Sequence, residues 1–154
     1  MAAQLNLTSE TVQSIYASDH LVVHPTDTIR QVFQKMKTTN NGAALVCEDE
    51  ALLGIFTERD ALKLLADAAD LDVPIADVMT KDPVSMVVKD TVGKAIAKMS
   101  FGGYRRLPLV DDAGHAQGFV KARHVLHYLV AHFPAVVYNL PPAPHHSTKA
   151  REGA

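Results

Sequence analysis

Apolar residues fall at Ile29, Val32, Phe33 and Met36, an i, i+3, i+4, i+7 spacing that lines one face of an α-helix. The same spacing returns at Val92, Ala95, Ile96 and Met99. Asp27-Thr28 precedes the first stripe and Asp90-Thr91 the second, so each predicted helix has an oxygen-bearing N-cap for its free N–H groups. Beyond each stripe the period changes. Ala43-Ala44-Leu45-Val46-Cys47 and Leu107-Pro108-Leu109-Val110 are short apolar runs and predict strands. Each is followed by turn chemistry, Glu48-Asp49-Glu50 and Asp111-Asp112-Ala113-Gly114, and by a further strand, Leu52 to Phe56 and Gln117 to Val120. Two more helices are expected to begin near Glu58 and Ala122.

These parallels extend along the chain. Shifted by 63 residues, Asp19 meets Asp82, Leu21 meets Val84 and Val23 meets Met86. One residue is then inserted. At 64, Ala44-Leu45-Val46 meets Pro108-Leu109-Val110, Gly54 meets Gly118, Arg59 meets Arg123, Leu62 meets Leu126 and Leu65 meets Leu129. A match over roughly 50 positions with a single insertion marks an internal repeat, and repeats fix architecture. Each copy reads strand, helix, strand, strand, helix, and one copy is too small to close a core alone. The expected fold class is therefore α/β: two tandem βαββα repeats packed sheet to sheet with pseudo-two-fold symmetry. Repeat 1 is placed at 10–66, a linker at 67–77 with Pro74 starting a turn, and repeat 2 at 78–132. Thr8-Ser9-Glu10 is expected to start a short helix over 8–16, and the Pro-rich tail, 141–154, to be extended or disordered.

Composition narrows the function classes. A chain of 154 residues with formal charge -2 sets up no long-range field for capturing nucleic acid. A single cysteine, Cys47, excludes an intrachain disulfide and fits a reducing compartment. The N-terminus lacks the basic and apolar regions of a signal peptide, and no apolar run approaches the ~18 residues that span a bilayer. The expectation is a cytoplasmic protein with neither membrane nor nucleic acid as partner.

The segment that carries chemistry is Gly54-Ile55-Phe56-Thr57-Glu58-Arg59-Asp60, a strand running into Thr-x-x-Asp at a helix start. One reading is a capping box, Thr57 at the N-cap and Asp60 three residues on. The other is a ligand site with the same geometry. A helix N-terminus attracts an anion, the Asp60 oxygens suit a vicinal diol such as ribose, and Thr57 can donate its hydroxyl. Both stay open on the residues alone. The eight histidines do not assemble a metal site: His20 and His24 fall in an extended stretch, and His124 and His127 lack an acidic or thiol companion. Cys47, Met36, Met79, Met86 and Met99 read as core. No nucleophile–base spacing appears, so a catalyst is not expected.

The duplication, the Gly-Ile-Phe-Thr-Glu-Arg-Asp segment, Met79-Thr80-x-Asp82-Pro83-Val84 and Tyr104-Arg105-Arg106-Leu107-Pro108-Leu109-Val110 together resemble a tandem pair of CBS domains, a Bateman module, over roughly residues 10–132. The resemblance implies clefts between the copies for adenosyl ligands, and a sensor that regulates a partner protein. It places Thr57 and Asp60 opposite Thr80, Pro83 and Val84 and opposite Tyr104, Arg105 and Arg106, with Arg59 and Pro108 completing the set. Asp60 would hold the ribose, Thr80 and Val84 would flank adenine, and an arginine would meet phosphate. No cofactor is required. The implied ligand is AMP, ADP or ATP, ahead of NAD or S-adenosylmethionine. The resemblance also implies a flat homodimer. The alternative is a ligand-free dimerisation or interaction module in which Thr57 and Asp60 only cap a helix. The second copy departs from the pattern, with Lys121 and His124 where the first has Thr57 and Asp60. Lysine cannot cap a helix N-terminus, and histidine lacks a carboxylate's paired acceptors. The second cleft, expected to face Ala17, Leu21, Gly42, Ala43 and Ala44, is therefore read as empty or as an anion site built from Lys121, Arg123 and His124.

Overall fold

The computed structural model describes residues 9–16 and 19–132. The first copy comprises β1 (Leu21–Val23), α1 (Ile29–Thr39), β2 (Ala43–Glu48), β3 (Ala51–Thr57) and α2 (Glu58–Ala66). A short strand, β4 (Thr80–Lys81), follows, then β5 (Met86–Val87), α3 (Val92–Gly102), β6 (Arg106–Val110), β7 (Ala116–Lys121) and α4 (Ala122–His132). The elements begin and end for local reasons. Thr28 and Gln31 form a reciprocal capping box at the start of α1. Thr91 accepts the Lys94 N–H at 3.1 Å at the start of α3. Asn40 and Gly103 close the two helices in the left-handed region, at φ 55° and 72°. Asp49 and Glu50, both at positive φ, make the two-residue turn between β2 and β3, the geometry that matches the strands' own twist.

Two sheets result, ordered β1-β2-β3-β4 and β5-β6-β7. In each, the first strand lies parallel to the second, across a helical crossover, and the second pairs antiparallel with the third. The early strand of the second copy is divided. Thr80 pairs with Ile55 and Lys81 with Gly54 at the edge of the first sheet, while Met86 and Val87 pair with Leu109 and Val110 in the second. Asp82, at φ 47°, lies between the two pieces. The positions equivalent to Thr80 and Lys81 in the first copy, Ala17 and Ser18, lie outside the described residues.

Burial falls into three clusters. One lies under the first sheet (Val23, Ile29, Val32, Phe56, Ile75) and one under the second (Val12, Met86, Val92, Leu107, Val120). The third joins the sheets face to face, with Leu45, Cys47 and Ile55 against Phe119. Hairpin ends bond across this junction, Leu52 N–H to the Gly114 carbonyl at 3.1 Å and Ala116 N–H to the Glu50 carbonyl at 3.0 Å. The cores are built by exchange. Val12 and Ile15 stand at the start of the first copy, ahead of β1, but are buried in the second copy's core. Ile75, between the copies, is buried in the first, where its N–H donates to the Asp27 carbonyl at 2.7 Å. The helix expected over 8–16 is, in its described part, a three-residue 3-10 turn, Val12–Ser14. Val12 is tied by backbone bonding to Asp90 and Glu10 to Val92, which holds this stretch against α3 rather than in a helix of its own. The tail expectation for 141–154 lies outside the described residues. No helix among the described residues is long and apolar enough to cross a membrane.

Candidate functional site

Strand β3 delivers the Thr-x-x-Asp segment to the start of α2. Asp60 Oδ2 accepts the Thr57 N–H at 2.9 Å and the Thr57 hydroxyl at 3.1 Å, and Asp60 N–H donates to Thr57 Oγ1 at 3.4 Å. The capping box is formed, and both bonds to the Asp60 carboxylate use one oxygen. Oδ1 takes no part in the pair. Thr57 and Asp60 are half-buried and Arg59 is exposed. Thr80 reaches this end of the first sheet on β4, through its pairing with Ile55. Pro83 is half-buried, and Val84, 42% exposed, presents an apolar side chain to the surface. Tyr104, 40% exposed, lays its ring over Gly102, where a β-carbon would collide with it. Pro108 is buried in β6 opposite Phe119 and contributes to packing.

A cavity of about 730 Å³ opens between the copies. Met36, Lys37, Asn40, Asn41, Gly42 and Glu58 line it from the first copy, and Arg105, Arg106, Lys121, Ala122 and Arg123 from the second. These stretches are equivalent under the repeat, so the cavity straddles the pseudo-two-fold axis. Matching backbone bonds shape it: Glu58 N–H donates to the Gly42 carbonyl at 3.0 Å, and Ala122 N–H to the Arg105 carbonyl at 2.8 Å. Of the residues expected to bind ligand, the cavity gathers Arg105 and Arg106. Thr57, Arg59, Asp60, Thr80, Pro83, Val84, Tyr104 and Pro108 are not in its lining. Lys121 and Arg123 line it and His124 does not. Gly42 is also in the wall, but Leu21, Ala43 and Ala44 are buried in the cores, and Ala17 lies outside the described residues. Lys37, Asn40, Asn41 and Glu58 carry no motif. Their one signal in the sequence is position: Asn40 ends α1 as Gly103 ends α3.

The cavity is electropositive. Five basic side chains meet a single carboxylate, Glu58. Burial, then the charges of Arg106 and Arg123, hold the Lys121 ammonium below its ordinary range, with Asp19 opposing them. Burial lowers His124 as well, followed by Arg123, Lys121 and His127. Among the described residues no salt bridge involves Arg105, Arg106, Lys121 or Arg123. Arg106 instead lies 5.8 Å from the Phe119 ring centroid, over its face. No group of three or more metal-ligating side chains occurs among the described residues. Burial pushes the Cys47 thiol up to about 11, which keeps it protonated and unreactive.

A family model described as "CBS domain" matches residues 12–67 and again 75–131. A 17.7 kDa protein of Acidianus ambivalens is 36% identical over 121 residues, covering 77% of this chain and 73% of its own length. A CBS domain-containing protein of Arabidopsis thaliana is 34% identical over 113 residues; the match takes in 72% of this chain but only 21% of that longer protein. Among solved structures, a CBS domain protein from Pyrobaculum aerophilum complexed with AMP superposes with TM-score 0.70 at 22% identity, over 79% of this chain and 98% of that one. The CBS domain pair of protein MJ0100, in complex with 5'-methylthioadenosine and S-adenosyl-L-methionine, gives 0.70 at 21% identity over 79% and 96%.

Proposed function

This chain belongs to the CBS-domain family, as a tandem pair, and we propose that it is a regulatory module that binds an adenine nucleotide and signals occupancy to a partner protein. The observation that carries this reading is the half-buried Thr57–Asp60 pair, where β4 brings Thr80 of the second copy beside the first. Asp60 turns one oxygen to its own helix and keeps Oδ1 for the ribose diol. Thr80, Pro83, Val84 and Tyr104 flank the adenine, with Arg59 at the margin, while Pro108 stays in the packing of β6 against β7. Arg105 and Arg106 meet the first phosphate, where a guanidinium fork fits well. AMP, ADP and ATP suit this set better than NAD or S-adenosylmethionine. The ligands of the Pyrobaculum protein and of MJ0100 are adenosyl compounds too, which supports the choice of class. A ligand touching both copies favours one packing angle between them, and that difference in affinity is what a partner can read.

A thermal-shift screen with AMP, ADP, ATP, NAD and S-adenosylmethionine tests the reading. A bound ligand at a hundredfold over its Kd adds about 2.7 kcal/mol. Asp60→Ala should abolish the shift, at the separate cost of about 1 kcal/mol for the lost cap. A wild type indifferent to all five compounds ends the sensing reading. An Asp60→Ala variant that responds as fully as wild type ends the site assignment.

The completed capping box favours a second reading, a ligand-free interaction module, because Thr57 and Asp60 already satisfy each other. Under either reading the chain pairs with a second copy through its helices. No residue of α2 is buried, and Leu62 and Leu65 are 66% and 54% exposed. Leu126, the repeat equivalent of Leu62, is 59% exposed on α4.

A further inference from the structure

We propose that the cavity on the pseudo-two-fold axis is a seat for a polyphosphate chain, held by Lys121 and Arg123 with Arg105 and Arg106, and that it stands in place of a second ribose site. For the nucleotide that carries this chain, the inference rests on the adenosyl-ligand reading.

Three observations converge. The first is chemical. Where the first copy has Thr57 and Asp60, the second has Lys121 and His124, so the hydroxyl and the carboxylate's paired acceptors for a sugar diol are gone. What replaces Thr57 is a cation that lines the cavity. The second is electrostatic. Lys37, Arg105, Arg106, Lys121 and Arg123 share one space with a single carboxylate, in a chain whose acidic residues outnumber its lysines and arginines, 17 to 15. Five like charges with only Glu58 in the wall and Asp19 acting on Lys121 repel one another and destabilise the fold that holds them, so the cluster is a cost that a bound anion lowers. The N-terminal end of α4, at Ala122, adds its dipole in the same place.

The third is size and place. About 730 Å³ lies within the range of small-molecule sites and is generous for one phosphate. Arg105 and Arg106 belong both to this wall and to the set expected to meet the first phosphate of a nucleotide bound at Asp60. A longer phosphate chain continuing past them runs toward Lys121 and Arg123, and a phosphate brings a charge of about −1.5 to −2 near neutral pH. The second copy thus serves the first one's ligand and takes none of its own. The module then holds one nucleotide per chain and measures phosphate-chain length.

Calorimetric titration at fixed salt tests this with AMP, ADP, ATP and inorganic tripolyphosphate, on the full chain and on Lys121→Gln/Arg123→Gln. ATP should bind the wild type at least tenfold more tightly than AMP, with ADP between them, at one nucleotide per chain. The double variant should lose most of the ATP advantage and keep its AMP affinity within about twofold, since a cation–phosphate contact contributes only where it forms. Tripolyphosphate should compete with ATP on the wild type and fail to bind the double variant. Arg105→Ala should weaken AMP and ATP together. Two nucleotides per chain, ATP no tighter than AMP, or a double variant with undiminished preference for ATP would each overturn the proposal. Tripolyphosphate bound through Lys121 and Arg123 with no nucleotide bound at all would leave the seat standing and sink the adenosyl reading. Failure of both to bind would sink the two together.

Discussion

Gly54 has no space for a β-carbon. One placed there would stand 2.8 Å from the Thr80 backbone carbonyl and 2.5 Å from Met79 Sδ. The methionine can move, but the carbonyl belongs to β4, so Gly54→Ala should push that strand off the sheet edge. The expected cost is about 1–3 kcal/mol, read as a lower denaturant midpoint, together with weaker nucleotide binding because Thr80 moves. His124 contributes to the pH dependence of stability near neutrality. Its folded pKa lies below its ordinary value through burial first and the charges of Arg123, Lys121 and His127 after it. A lowered histidine pKa means the unfolded chain binds the proton better. Its cost is absent above about pH 6.5 and complete once the pH has fallen below the folded pKa. A proton NMR titration should find the His124 ring below its ordinary value, and Arg123→Ala should raise it; an unchanged value in that variant would refute the electrostatic account. At this scale the sequence was partly legible. The charge of Lys121 and the loss of Thr57's partner role in copy two could be read directly. That Glu58, and not Asp60, faces the cavity could not, because it depends on which side of α2 the sheet leaves open.

Stripes and runs predicted the elements well, since each depends on neighbours within a turn or a strand. The Thr28, Thr57 and Thr91 caps all stand where oxygen-bearing side chains preceded an apolar period. The short pieces depended on distant partners. Val12 and Ile15 look like one face of a helix until α3 supplies the backbone groups that hold them in a single 3-10 turn. Thr80–Lys81 has too few residues to announce a strand and becomes one by pairing with β3. Ile75 shows the energetic weight of such a piece. Fully buried between Phe56, Val32 and their neighbours, it should cost about 2–5 kcal/mol when cut to alanine. Hydrogen exchange should then quicken first in β1, β2 and β3, although Ile75 itself lies outside that copy in sequence.

At the scale of the molecule, duplication gave away the sheet-to-sheet architecture, because neither copy could bury its strands alone. The cavity on the axis was hidden, since it is made of helix ends and loops that carry no pattern and meet only when the two copies face each other. The surface leucines set the remaining expectation. Leu62→Glu combined with Leu126→Glu should convert a dimer to a monomer in sedimentation analysis, with little change in folding because both side chains already face outward. A wild type that sediments as a monomer would remove the helix-face pairing from the proposed function.

The exchange of Val12 and Ile15 for Ile75 makes the two repeats a clasp. Each hook is fastened in the other's half, so neither half can come undone by itself. A protease cut near Asp67 should leave two fragments that stay together and come apart only when both melt. In calorimetry the intact chain should show one heat-absorption peak, with the van't Hoff and measured enthalpies equal, where two merely adjacent halves would show two. A protein held shut in this way can report a bound molecule only by turning its halves against each other while both remain fastened.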